Sequence, residues 1–220
     1  LNKGLTVAVF QMESPGMQDL AKRIGIAHID DIIALVALFR PGPMHMLEDF
    51  IKRKQGKMQI QYDHPLLEPI LKDTYGIMLY QEQVMKCANV IAGYSLAQAD
   101  SLRRIMGKKI PAEMDAQKSV FVAGSEKNGI PKKTAEKIFE AMAYFAGYGF
   151  NKSHSAAYGV IACQTAYLKA NYPVEYMAAL LSSELNNTDK IAKYIRECAD
   201  LGMRMLPPVS DPSDTVASPA

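Results

Sequence analysis

From Ser14 to Gly202 apolar residues recur at the spacing of an α-helix, and almost every such run is stopped by a glycine or a proline. That punctuated pattern predicts an all-α fold of many helices joined by irregular Gly/Pro-rich connections. Ser14 and Pro15 open the first helix, Met17, Leu20, Ala21 and Ile24 form its stripe, and Gly25 stops it. Asp30 caps a second, Asp31–Phe39, apolar almost all round and therefore buried, which Arg40-Pro-Gly-Pro43 ends abruptly. A third carries Leu47, Phe50 and Ile51 up to Gly56. The stretch 57–73, broken by Pro65 and Pro69, is mostly connection and marks a subdivision point near 57–75. Tyr75–Tyr80 fits a short strand or the lead into the next helix, Gln81–Ala92.

Ser95 caps a helix to about Met106 with Leu96, Ala99, Leu102 and Met106 inward, and Pro111 starts another that ends at the left-handed stop Gly129. Two more helices flank a central connection. Pro131–Tyr144 carries Ala135, Ile138 and Met142, in line with Phe145, and Ala156–Ala170 carries Ala157, Val160, Ile161, Gln164 and Leu168. Asn171-Tyr-Pro173 breaks the chain before a helix at Val174–Leu185. Thr188 caps the last, with Ile191, Ile195, Cys198 and Ala199 inward, and 203–208 fits a short extended piece. The region 1–208 is thus read as one helical assembly. The tail 209–220 is Ser-, Pro- and Asp-rich without periodicity and is expected to be disordered, foreign or truncated.

Of the 220 residues, 49% are hydrophobic and 22% charged, an ordinary globular balance. The three cysteines, Cys87, Cys163 and Cys198, lie far apart on helical faces, which argues against a disulfide framework and a zinc site. No apolar run is long enough for a membrane span and no signal peptide is present, so a cytoplasmic location without membrane partners is expected. Position 1 is Leu, as expected of a piece of a longer chain. A formal net charge of +2 says little about partners, but its distribution says more.

The densest chemistry lies in Phe145-Ala-Gly-Tyr-Gly-Phe-Asn-Lys-Ser-His-Ser-Ala-Ala-Tyr158. Gly147 and Gly149 are expected to supply backbone dihedrals closed to other residues, and Ser153 or Ser155 to cap the following helix. Lys152, Ser153 and His154 then sit at a helix N-terminus, where unpaired N–H groups and the helix dipole attract anions. The plainer reading is an ordinary cap. A Walker A loop is rejected, because Asn151 stands where that motif has glycine and no strand precedes it.

Arg40, at the rim of a rigid turn, reads equally as a cap on helix carbonyls and as a fixed phosphate donor. Arg103, Arg104, Lys108 and Lys109 put four cations in seven residues, with no acid among them and Gly107 as a hinge. Such a run is commonly a solvated face, yet it also suits phosphate contact, at about 1.5–3 kcal/mol per charged hydrogen bond. Gly129-Ile-Pro-Lys-Lys resembles half of a helix-hairpin-helix turn, but its partner half is missing.

Phe145–Tyr158 closely resembles a signature of the fingers region of the bacterial C-family replicative polymerases, the DNA polymerase III alpha subunits. Four further segments are similar to that family in the same order: Phe10-Gln-Met-Glu-Ser-Pro-Gly-Met17, Ile33-Ala-Leu-Val-Ala-Leu-Phe-Arg-Pro-Gly-Pro43, Tyr75-Gly-Ile-Met-Leu-Tyr-Gln-Glu-Gln-Val-Met85 and Leu102-Arg-Arg-Ile-Met-Gly-Lys-Lys109. The resemblance implies a helical fingers region of a DNA-directed DNA polymerase that closes over the incoming deoxynucleoside triphosphate and contacts primer-template DNA. It implies that Arg103, Arg104, Lys108, Lys109, Lys152, Ser153 and His154 face the triphosphate and primer terminus. It further implies, for the parent protein, Mg2+ held by palm aspartates, bacterial cytoplasm, and the sliding clamp, clamp loader and proofreading exonuclease as partners.

The residues themselves agree that an active site is not complete here. Two-metal phosphoryl transfer needs carboxylates placed to hold both ions. Asp30 and Asp31 are adjacent, point to different sides of a helix, and have no Asp-x-Asp companion, so no catalytic or metal-binding residue is assigned. The alternatives are a non-enzymatic helical DNA-binding module built on the basic patch and the Gly129 turn, and a helical scaffold whose charges are merely solvated.

Overall fold

The computed structural model describes residues 1–108 and 110–206. Among them are eleven α-helices and three 3-10 turns, and no strand beyond one isolated bridge. The expected all-α class holds. The chain divides into two compact units, 1–29 with 158–220 and 30–157. Lys109 and the expected tail 209–220 lie outside the described residues.

The central unit contains α2 (Ile29–Leu38) from Asp30 onward, then α3 (Leu47–Lys54), a short α4 (Glu68–Leu71), α5 (Gln81–Ala92), α6 (Leu96–Lys108), α7 (Pro111–Lys127) and α8 (Lys132–Ala146). Helix α2 is buried on nearly every side, as its composition demands. It begins at Ile29, so Asp30 lies in its first turn instead of capping it. Asp31 is buried and is matched by Lys54, whose ammonium lies 2.8 Å away. An unpaired carboxylate there would carry a heavy desolvation cost.

Helix α5 is the central strut, packed on α6, α7 and α8. Cys87, Ile91, Leu102, Met106, Phe121, Ile138 and Met142 meet in its core with almost no exposure. Burying a large apolar side chain of this kind contributes roughly 1.5–3 kcal/mol, so this core carries the unit. Burial also pushes the Cys87 thiol up to about 12. Ser95 caps α6 as expected, its Oγ accepting from the Gln98 N–H at 3.3 Å. Two details of α6 differ from expectation: Leu96 is exposed at its first turn, and the helix runs through Gly107 to Lys108. The connection 57–73 is not featureless, because Pro65 starts a short 3-10 turn and Pro69 is the second residue of α4.

The other unit holds α1 (Pro15–Ile24), most of α9 (Lys152–Asn171), α10 (Pro173–Ser183) and α11 (Thr188–Asp200). Ser14 caps α1 and Gly25 ends it in the left-handed region, both as expected. Asn187, not Thr188, caps α11, its side chain accepting from the Lys190 N–H at 3.2 Å. The inward face of α11 is Tyr194, Glu197 and Cys198, while Ile195 is exposed. Lys169 of α9 is buried and donates to Leu5 O, Val7 O and Glu197, tying the irregular N-terminal segment to two helices of this unit.

Helix α9 reverses the expected face. Val160, Ile161 and Leu168 are 44%, 40% and 42% exposed, whereas Gly159, Ala162 and Lys169 are buried. Gly159 and Ala162 let the helix approach its neighbours closely, while Lys169 is buried through its own hydrogen bonds and the larger apolar residues face out. Residues 203–206 form no regular element, and 207–208 lie outside the described residues.

Candidate functional site

The central connection is built by continuing α8 and then strapping the chain to the start of α5. Gly147 has φ −71° and ψ −17°, ordinary right-handed helix values. Gly149 is not in the left-handed region either. The expectation that these glycines supply forbidden dihedrals is therefore corrected. Gly149 instead lies close against the start of α5: a Cβ there would fall 3.1 Å from Gln81 Cγ, so that side chain would have to shift slightly, and 3.5 Å from Gln81 Cα, an ordinary contact.

That close approach allows three hydrogen bonds. Phe150 N–H donates to Leu79 O at 3.1 Å, and Gln81 N–H donates to Phe150 O at 2.9 Å. The Gln81 side-chain amide donates to Gly149 O at 3.0 Å. Tyr75–Tyr80 is thus the lead into α5, joined to the loop by a single parallel bridge, Tyr80 to Phe150. Beneath it, buried Gln83 accepts from the Leu79 and Tyr80 N–H groups at 2.8 and 2.9 Å and donates to Thr74 Oγ1 at 2.8 Å. A fully satisfied buried amide holds its neighbours in one geometry.

Neither Ser153 nor Ser155 caps α9. Asn151 does, its Oδ1 accepting from the His154 N–H at 2.8 Å. Ser155 is buried and donates to Ile33 O at 2.5 Å. Glu82, in the first turn of α5, accepts the Lys152 N–H on both carboxylate oxygens at 3.0 and 3.1 Å. One carboxylate therefore serves the positive ends of two helices, a favourable placement for an anion. The Lys152 ammonium lies 5.4 Å from the centre of the Tyr80 ring. Ser153 and His154 remain exposed, with the His154 ring 5.6 Å from that of Phe150.

Arg40 is committed to structure. Its Nε donates to Ala37 O at 2.7 Å, its guanidinium donates to Tyr148 O, and its Cζ lies 4.5 Å from the centre of the Phe150 ring. Of the two readings of this residue, capping is the one its contacts describe, and it also clamps the loop. Burial lowers its pKa from the ordinary value. Gly42 in the adjoining turn has φ +107°, and a Cβ there would come 2.6 Å from Tyr148 Cδ1, so glycine is required on both counts.

The basic run is not free of acid. Arg103 places Nε and Nη2 on Asp100 Oδ1 at 3.0 and 2.7 Å, and Arg104 reaches Oδ2 at 2.9 Å. The hydrogen bond from Arg103 holds the Asp100 carboxyl below its usual range. The two arginine side chains are 22% and 68% exposed, so Arg104 faces solvent while Arg103 is held close. The last turn of α6 passes the end of α8, just before the loop: a Cβ on Gly107 would lie 3.9 Å from Ala146 O. Lys108 is exposed on that same turn. The fourth cation of the run, Lys109, lies outside the described residues.

Chemically, these elements offer exposed cations and hydroxyl and imidazole groups on a preset backbone. They do not offer a metal centre: among the described residues no group of three His, Cys, Asp or Glu side chains could hold an ion. No helix there is long and apolar enough to cross a membrane. Sequence reasoning missed Asp100 and the pairing role of Glu82. Asp100 was detectable, since it stands three and four residues before the arginines. The Glu82 pairing joins residues 70 apart and left no local signal.

Residues 1–129 match the profile of the family described as the bacterial DNA polymerase III alpha subunit finger domain. The chain is similar to DNA polymerase III subunit alpha of Escherichia coli K12, at 53% identity over 215 residues covering 94% of this chain and 18% of that protein. It is similar to the same subunit of Haemophilus influenzae, at 54% identity with 94% and 19% covered. For Chlamydia pneumoniae the identity is 54% over 208 residues, with 94% and 17% covered. The chain thus spans about a fifth of the length of these relatives, and it belongs to the bacterial DNA polymerase III alpha subunit finger-domain family.

Proposed function

We propose that this chain is the fingers part of a DNA-directed DNA polymerase and binds the incoming deoxynucleoside triphosphate together with primer-template DNA. The observation that supports the reading is that the last turn of α6, which carries the basic run, passes beside Ala146 at the end of α8, where the chain enters the loop that leads to Lys152, Ser153 and His154. Fixed cations and polar groups on a rigid frame neutralise triphosphate charge without reorganising during the reaction. Arg104, Lys108 and, through its Asp100 contact, Arg103 supply charge, while Ser153 and His154 supply hydrogen bonds. Lys109 joins them by sequence. Arg40 and Lys152 shape the loop through Tyr148, Phe150 and Glu82.

The primer hydroxyl and the divalent ions of such chemistry are held elsewhere in the parent polymerase. Its other replication partners are likewise proposed for the parent protein only.

The test is single-nucleotide incorporation by the full-length polymerase carrying Arg103→Ala with Arg104→Ala. Loss of two charged hydrogen bonds predicts at least a tenfold fall in kcat/KM, on the order of 1.5 kcal/mol or more. Unchanged kcat and KM would remove both residues from the site.

A further inference from the structure

The central unit also holds one aromatic ring in the open. Tyr144 stands in the last turn of α8 and is 52% exposed, yet its ring is fixed. Its O–H donates to His45 Nε2 at 3.0 Å, and His45 Nδ1 lies 2.6 Å from Gly42 O. A carbonyl oxygen can only accept, so Nδ1 carries the imidazole proton and Nε2 accepts from the tyrosine. The Phe145, His45 and Tyr148 rings lie 5.1, 6.0 and 6.1 Å away, at 90°, 79° and 61° to the Tyr144 plane. These three steep neighbours hold the ring upright, and none of them lies flat upon it. Its rotamer freedom is lost on folding, before any partner arrives, so binding need not order it again.

Exposed cations stand near the turn that carries this ring. Ala146, two residues beyond Tyr144, faces the last turn of α6, where a Cβ on Gly107 would lie 3.9 Å from Ala146 O. Arg104 and Lys108 of that helix are exposed. Cations that meet phosphates, with an aromatic face on which a base lies flat, are the two elements by which proteins hold a single strand of nucleic acid. An acidic peptide would use the cations alone, and an apolar one the ring alone. A single strand uses both.

We propose that Tyr144 is the platform on which an unpaired template base stacks, one that lies beyond the base being copied. The inference rests on the reading of this chain as polymerase fingers. In such a complex the incoming base pairs with the template and stacks on the primer end. An unpaired template base has neither contact, so it gains most from a protein ring. The platform is sequence-tolerant, because every base has a π-face. It needs no hydrogen bond to the base, and the tyrosine hydroxyl is already engaged by His45.

The test is binding of dideoxy-terminated primer-templates by the full-length polymerase, with an abasic residue placed in turn at each of the first few unpaired template positions. The wild type should lose about tenfold in affinity at one of those positions. Tyr144→Ala should bind the intact template about tenfold more weakly and show no further loss there, while Tyr144→Phe keeps the ring and the wild-type pattern. A wild type indifferent to every abasic residue, or a Tyr144→Ala enzyme that keeps the loss, would overturn the proposal. If that enzyme keeps the loss and no longer binds more tightly with matching nucleotide, the ring belongs to the incoming base instead. If the alanine variant is unstable, Tyr144→Leu, an apolar side chain without a ring, takes its place. The kinetic test of Arg103 and Arg104, run on a template that ends at the copied base, leaves no unpaired base for Tyr144 to hold, so either account can fail alone.

Discussion

Asp100 gives the basic patch its form. It accepts from both Arg103 and Arg104, so the two guanidinium groups, which would otherwise repel, share one anion. A surface ion pair of this kind contributes little to stability, because water screens it. Its consequence is orientation. Asp100→Asn keeps the shape and removes the charge, leaving both arginines less constrained. The expected outcome is a fall of about tenfold in kcat/KM for nucleotide incorporation with a melting temperature close to that of the wild type. A variant with unchanged kinetics would show that Asp100 does not set up the site. Because Arg103 lowers the Asp100 pKa, the pair persists as pH falls through the usual carboxylate range and is lost only below it.

Among the helices, the decisive contacts are close approaches of backbone. Gly124 of α7 packs against the end of α5, where an added Cβ would fall 2.3 Å from Ala92 O and 3.2 Å from Ala92 C. Backbone atoms cannot swing aside as a side chain can. Gly124→Ala should therefore destabilise the protein by about 1–3 kcal/mol, as overpacking does, and lower its denaturant midpoint. An unchanged midpoint would contradict the packing described here. The helices themselves were legible in the sequence, because an apolar stripe with a Gly or Pro stop has one common solution. The caps and faces were less so. Asn151 and Asn187 competed with nearby serines and threonines for the cap position, and periodicity cannot tell which face of α9 turns inward when its small residues pack closer than its large ones. The strap of Phe150 onto Leu79 and Gln81, and the close approach of Gly149 to Gln81, depend on partners about 70 residues away and had no local signature.

At the scale of the whole molecule, the two compact units are held together internally in different ways. One ties the N-terminal segment to α9 and α11 through buried Lys169 and Glu197. The other carries the basic end of α6 and the strapped loop on a helical core that needs no metal or disulfide to explain its packing. The central claim is that this second unit recognises nucleotide and DNA together. Its most direct test is fluorescence polarisation of a labelled, dideoxy-terminated primer-template bound by the full-length polymerase, across a salt series, with matching or mismatched deoxynucleotide. The wild type should bind more tightly with the matching nucleotide. Replacing Arg103, Arg104 and Lys108 with Ala should abolish that tightening and make the log-log salt slope shallower by about 2–3, as expected for the loss of three phosphate contacts. A triple variant that keeps both the nucleotide-dependent tightening and the wild-type slope would contradict the account.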